Sequence, residues 1–179
     1  MSNMEKIENI VEGIVWKGGD NIVAYDILAP DKKTTGGVDR DELGRYALEA
    51  VDPGFAEKAR NGGYQVVVAG ENFGGGAKSI EHPVHALLGA GIKLVVAESF
   101  SRYFFRNAIN NGLPVMVCKG VTKKFETNGK IRVAMDTAEI ENIDTGVKIK
   151  GEPLDEHIQA ILVAGGFINF TKKRLDIAD

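Results

Sequence analysis

The chain has 179 residues, 44% of them hydrophobic and 26% charged, with a net charge of −3. This is an ordinary globular balance, long enough for one domain with a sizeable core, and its acidity argues against a nucleic-acid binder, because phosphate neutralisation needs a basic face. No apolar run reaches the ~18 residues of a transmembrane helix, and the first ten residues lack the apolar stretch of a secretory signal. The lone Cys118 excludes an internal disulfide and any iron–sulfur or zinc site built from several of the chain's own cysteines. A reducing, cytoplasmic compartment is the expectation.

Residues 7–16 are apolar with β-branched members and end at Gly18-Gly19-Asp20, so they read as a strand closed by a turn. A short apolar stretch, 21–30, leads into the polar loop Asp31-Lys32-Lys33-Thr34-Thr35-Gly36-Gly37. Acidic residues followed by Leu43, Ala47 and Leu48 predict a helix over 39–49, and Asp52-Pro53 predicts the start of another over 55–60. The middle of the chain reads as strand 64–69, helix 81–90, strand 93–97, helix 100–110 and strand 114–118. That alternation gives βαβ units and a parallel sheet. Residues 124–149 alternate apolar and polar and carry Asn128-Gly129, a hairpin signal, so antiparallel strands are expected there. Helices over 154–163 and 167–174 close the chain. There is no internal repeat and no Pro/Ser linker. The fold class is therefore α/β, one compact unit over 1–179 with a parallel-containing sheet, helices and an antiparallel appendage.

The chain has 22 glycines, a share well above the average of about 7%. The densest cluster is Gly70-Glu71-Asn72-Phe73-Gly74-Gly75-Gly76-Ala77-Lys78-Ser79-Ile80-Glu81-His82, between a predicted strand and a predicted helix. Glycines let a ligand approach the backbone closely, and a helix N-terminus offers unpaired N–H groups and partial positive charge. Together they suit a phosphate or carboxylate, with Lys78 adding a charge and Ser79 a hydroxyl. As a phosphate-binding P-loop the segment is off by one residue, since Ala77 separates Gly76 from Lys78 and Pro83 lies just inside the helix. The other readings are a carboxylate site with a reactive serine, or a plain connecting turn.

The loop resembles that of the aconitase superfamily, in particular the small subunits of isopropylmalate isomerase and homoaconitase, whose motif is N-F-G-C-G-S-S-R-E-H. Asn72-Phe73-Gly74 matches on the left and Glu81-His82 on the right. The similarity continues through Ala90-Gly91-Ile92, the run Glu98 to Pro114, the Ala164-Gly165-Gly166 region, and residues 13–30 near the N-terminus. The resemblance implies a swivelling β/β/α domain. It further implies a large partner subunit that carries a 4Fe–4S cluster, with no cofactor bound by this chain itself. A serine of the loop takes a proton from carbon while arginines hold substrate carboxylates. The family default is 3-isopropylmalate dehydration or isomerisation in leucine biosynthesis. A small subunit separated from its partner could also self-associate.

The loop departs from the motif. It is one residue longer: aligned from the right, Ile80 replaces the motif's arginine, and aligned from the left, Ala77 and Lys78 replace its serines. Ser79 is the remaining hydroxyl and the candidate base; otherwise it N-caps the helix. Asp26 matches the family's acidic residue and is the candidate for assisting departure of the hydroxyl; otherwise it starts a turn. Gly75, Gly76 and Lys78 are candidate substrate contacts. So are Lys32 and Lys33, which stand where the family reads the substrate's variable group and favour an anionic one over a bulky apolar one, unless the loop is merely solvated. Arg102 and Arg106, four apart on one helical face, could bind carboxylate or partner, or be plain surface. His82 and His85 lie one turn apart, without a third metal ligand in view. Trp16, Tyr103, Phe104 and Phe105 are expected in the core, and His157 on the surface. Alternatives to the default are homoaconitase or another hydroxy-acid dehydratase, and a non-catalytic carboxylate- or phosphate-binding relative that has lost the motif arginine.

Overall fold

The computed structural model describes residues 10–32, 37–76 and 80–177. Its strands are β1 (Ile10–Lys17), β2 (Val66–Ala69), β3 (Leu94–Ala97), β4 (Val115–Val117), β5 (Lys130–Ala134), β6 (Glu139–Asn142) and β7 (Lys148–Lys150). Its helices are α1 (Ala24–Ile27), α2 (Arg40–Gly44), α3 (Phe55–Arg60), α4 (His82–Gly89), α5 (Arg102–Asn110), α6 (Glu156–Val163) and α7 (Phe167–Leu175). The strands form a seven-stranded mixed sheet in the order β4-β3-β2-β1-β5-β6-β7.

β1 is the seam between two halves. Over Val15–Lys17 it runs parallel to β2, and over Ile10–Ile14 it runs antiparallel to β5. On the parallel side β2 and β3 are wholly buried runs, VVVA and LVVA, as strands covered on both faces must be. On the antiparallel side β5 alternates exposed Lys130 and Arg132 with buried Ile131 and Val133, the pattern of a half-solvated strand. The sheet curls round until its two edges meet: the chain leaving β7 donates the Glu152 N–H to the Val117 carbonyl of β4, at 2.7 Å. Trp16 sits edge-on to Phe55, which stacks on Tyr64, and its indole N–H reaches Asp52 Oδ2 at 2.9 Å. Among the described residues no helix is long and apolar enough to cross a membrane.

Three expectations change. The helix predicted over 39–49 stops at Gly44: Leu48 takes a positive φ of 53° and its N–H goes to the Ile27 carbonyl at 2.8 Å, a tertiary bond that a continued helix would forfeit. Asn128-Gly129 is a turn but joins no pair of consecutive strands. Both residues hydrogen-bond to Val15, so this turn feeds β5 onto β1, and the hairpins lie instead between β5 and β6 and between β6 and β7. Tyr103 is 50% exposed, because α5 turns positions 104, 107 and 108 inward and 102, 103 and 106 outward.

Helices α2 and α4 cross with almost no side chain between them. A Cβ on Gly89 would lie 1.7 Å from the Arg40 carbonyl oxygen, and one on Gly44 would lie 2.2 Å from the Gly89 carbonyl carbon. Since backbone cannot yield as a flexible side chain does, Gly89→Ala is expected to lower unfolding stability by about 1–3 kcal/mol in urea titrations. Gly19→Ala, with open space around the added carbon, should stay within about 0.5 kcal/mol of the native protein. Equal midpoints for the two variants would contradict this crossing.

Candidate active site

In parallel sheets the loops beyond the strand C-termini are where ligands are held. Here the loops after β1, β2 and β3 are sewn together in the same order as the strands. The glycine loop takes the middle place. On one side Gly70 N–H donates to the Gly19 carbonyl (3.0 Å), Gly74 N–H to the Ile22 carbonyl (2.8 Å), and the Gly75 carbonyl accepts from Ala24 N–H (2.8 Å). Asp20 Oδ1 accepts from Glu71 N–H at 2.8 Å. On the other side Phe73 N–H donates to the Ser99 carbonyl and its own carbonyl accepts from Ser101 N–H, both at 3.0 Å. Ser99 Oγ accepts from Asn72 N–H at 2.8 Å.

Below the loop, Phe73, Phe100 and Phe104 pack with ring centroids 5.1–6.1 Å apart. Gly74 lies against this cluster with φ +76°, and a Cβ there would come within 2.3 Å of the Phe104 ring. Both the conformation and the space therefore require glycine. Ser101 caps α5 by accepting from Phe104 N–H (3.2 Å) while its hydroxyl donates to the Gly74 carbonyl (2.8 Å). Six residues on, the buried Asn107 donates its side-chain amide to the Ile80 carbonyl at 3.0 Å.

The surrounding titratable groups are set by this packing. Glu98, at the end of β3, accepts from Thr122 Oγ1 (2.6 Å) and Gly120 N–H (2.9 Å), and these bonds hold its carboxyl below the usual range. Cys118 is buried, and burial, reinforced by the charges of Glu98 and Glu152, pushes its thiol up to about 11. His85, 6% exposed on α4, accepts from Arg40 Nε at 3.0 Å through Nδ1, and burial, with the Arg40 charge, pushes its pKa down. Arg40 also donates to the Asn111 carbonyl at 3.2 Å, so it joins α2 to both α4 and the end of α5.

The comparisons with known proteins fit this arrangement. Residues 20–120, which span all three loops, match the family described as aconitase C-terminal domain. The chain belongs to that family. Among its relatives, the isopropylmalate/citramalate isomerase small subunit of Methanocaldococcus jannaschii is 40% identical over 169 residues, covering 94% of this chain and 98% of that one. The 3-isopropylmalate dehydratase small subunit 1 of Methanopyrus kandleri is 41% identical over 167 residues, covering 93% and 95%. A solved structure of 3-isopropylmalate dehydratase from Methanocaldococcus jannaschii superposes with a TM-score of 0.85 at 35% identity, covering 94% of this chain and 96% of that one. The mixed, curled sheet with its helices is thus the fold of an aconitase-family small subunit.

Within this family fold, the turn bearing Asp26 lies against the glycine loop, since Val23 bridges Gly75 and a Cβ on Gly76 would lie 3.1 Å from Val23 Cγ1. Asp26 Oδ2 accepts from Val23 N–H at 2.9 Å, so the carboxylate also closes its own turn. Arg102 and Arg106 are exposed on the outer face of α5, the helix that Ser101 ties to Gly74. Lys32 lies apart from these bonds: its ammonium stands 4.7 Å above the Tyr46 ring and 3.8 Å from Asp31. Lys33, Lys78 and Ser79 fall outside the described residues. The N-cap of α4 is Glu81, whose side chain makes no capping hydrogen bond. His85 is a core histidine bonded to Arg40, and His157 lies exposed with its ring edge-on to Phe170. Ser99, Ser101 and Asn107 escaped sequence reasoning; only Ser101, three residues before an inward Phe, carried a signal, that of an N-cap.

His85 gives the fold a pH dependence. Its folded pKa is depressed below the unfolded value, so the unfolded chain binds the extra proton more readily. Stability from this group is complete above about pH 6.5 and falls as pH drops below it, by at most about 1.4 kcal/mol per unit. In urea unfolding between about pH 7.5 and 5, His85→Gln should lose less stability on acidification than the native chain. Parallel curves would contradict the buried neutral imidazole.

Proposed function

We propose that this chain is the small subunit of a two-subunit iron–sulfur hydro-lyase that dehydrates and rehydrates a 2-hydroxy dicarboxylate of the isopropylmalate class. The observation that carries the reading is the glycine loop, held between the Asp26 turn and the arginine helix α5, in a chain about 40% identical to small subunits bearing that activity in their names over nearly its whole length. The name of one relative adds citramalate, which differs from isopropylmalate in the size of its apolar substituent. The substrate class is therefore 2-hydroxy diacids with a variable alkyl group.

The cluster belongs on the large subunit. Ligation of iron needs several thiolates, and the only cysteine here is buried with its thiol pushed up to about 11, the opposite of a ligand's environment. When present, its open iron supplies a Lewis acid for the substrate's hydroxyl and carboxylate. The chain's own residues do the rest. Ser79 takes the proton from carbon, and the ammonium of Lys78 favours its deprotonated form. Asp26, fixed by its bond from Val23 N–H, assists protonation of the departing hydroxyl. Gly76, exposed at the loop, is the glycine at which a carboxylate would approach the backbone, since the space beside the buried Gly75 is filled by the Asn72 side chain, and Arg102 and Arg106 bind carboxylate from α5. Holding the substrate between two subunits excludes water from the site once they close.

The test is turnover of 3-isopropylmalate and citramalate by the chain assembled anaerobically with its large subunit. Ser79→Ala is expected to lower kcat by about 10²–10⁴, the usual worth of a positioned base, and Asp26→Asn by about 10², with both variants still assembling. Turnover unchanged by Ser79→Ala would sink the assignment of the base. No turnover by the native assembly on any such acid would favour a binding protein that has lost the chemistry along with the motif arginine.

A further inference from the structure

The loops after β1 and β2 meet through two asparagines. Asn21 and Asn72 both take the left-handed conformation, with φ of 55° and 57°, which Asn tolerates better than most residues bearing a Cβ. Asn21 N–H donates to the Glu71 carbonyl at 2.8 Å, and the Asn72 side-chain amide donates to Asn21 Oδ1 at 3.1 Å. The pair stands just before the point where the two loops run side by side. There Gly74 N–H donates to the Ile22 carbonyl and Ala24 N–H to the Gly75 carbonyl, both at 2.8 Å. Val23 lies between those two bonds, and its own N–H holds Asp26 Oδ2 at 2.9 Å. The Asn72 side chain also fills the space beside Gly75, since a Cβ on that glycine would lie 2.9 Å from Asn72 Nδ2. Both asparagines are exposed, and an exposed hydrogen bond competes with water and adds little to stability. Two left-handed residues held by so weak a bond point to placement of a segment rather than to stability of the fold.

Resting on the function proposed above, we infer that Asn21 and Asn72 are positioning residues for the dehydration: their amide pair sets the register of the glycine loop against residues 22–24 and so fixes the carboxylate of Asp26. Register between paired segments is ordinarily set by side chains, and it is weakly specified where the residues are glycines. Gly74, Gly75 and Gly76 have none to offer, yet Val23 bridges Gly75 in parallel register. The asparagine pair supplies the missing lock. A slip of the loops past one another would carry with it the Val23 N–H, and therefore Asp26, which must come within hydrogen-bond reach of the departing hydroxyl to assist its protonation. Asn suits both places because an amide offers a donor and an acceptor at once, so like pairs with like without bringing a charge beside the catalytic carboxylate.

The experiment uses the assembled complex, 3-isopropylmalate as substrate, and the variants Asn72→Gly and Asn21→Gly. Glycine keeps the left-handed backbone without strain and removes the amide, so the fold is retained. N72G should lower kcat about tenfold with KM within about threefold, because a misplaced acid harms the transition state more than binding. N21G/N72G should be no worse than the poorer single variant, since both remove the same bond. N72D should recover most of the loss seen in N72G, as Asn21 can turn its amide to donate to the carboxylate. The deciding readout is the Asp26→Asn background. There N72G should cost less than about twofold, since the carboxylate it positions is gone, whereas a general loosening of the site would cost the same tenfold in both backgrounds. Unchanged kcat in N72G, or a loss carried in full into the D26N background, would overturn the inference. Native kcat in D26N alone overturns it together with the role given to Asp26. If the native complex turns nothing over, the proposed function fails instead. The register lock is then decided by hydrogen exchange: N72G must speed exchange at the amides of Gly74 and Ala24, and unaltered exchange overturns it.

Discussion

The constraint on which this structure depends is the hydrogen bonding that continues the parallel sheet beyond its strands. After β2 the chain does not leave the sheet as a slack loop. It stays between the same neighbours, bridging Val23 on the β1 side and Phe100 on the β3 side, both in parallel register. A glycine-rich segment left to itself would carry a high conformational entropy and many unsatisfied amides. Over residues 70–75 amides and carbonyls are instead taken up by the two flanking loops, so the first half of this segment is placed by the same neighbours as the strand before it.

That placement depends in turn on β1. It is the one strand that belongs to both the parallel and the antiparallel half, and its C-terminal continuation, residues 18–24, forms one wall of the glycine loop. The curl of the sheet, closed by Glu152 against Val117, brings the end of the antiparallel half beside Cys118 and the turn that holds Glu98. The β appendage is thus part of the support of the β3 loop. On the helical side, Arg40 links α2, α4 and α5 through His85 and Asn111, so the elements that follow the two lysine-bearing loops share one anchor.

Much of this was legible in the sequence. The runs VVVA and LVVA have the β-branched density of strands buried on both faces, and the alternation around Ile131 and Val133 has the period of a half-exposed one. The glycine loop announced itself by composition, and the family followed from the residues around it. What escaped was tertiary. Leu48 has good helix propensity, yet it turns aside for the Ile27 carbonyl. Asn128-Gly129 has the right residues for a hairpin, yet its partner strand is more than a hundred residues earlier in the chain. Ser99 and Asn107 are ordinary polar residues until the fold sets a loop carbonyl or N–H in front of them. Tyr103 looked like core because three aromatics adjoin in sequence, but a helix places neighbours on different faces.

The central claim is that this chain supplies the serine and carboxylate-binding half of a site whose iron–sulfur half lies on another subunit. It is tested most directly by purifying the chain anaerobically from its native cells, identifying what accompanies it by mass spectrometry, and assaying iron. The account predicts a stoichiometric partner of the aconitase type that carries an iron–sulfur cluster. Recovery of the chain alone or as a homo-oligomer, with no iron-bearing protein, would contradict it.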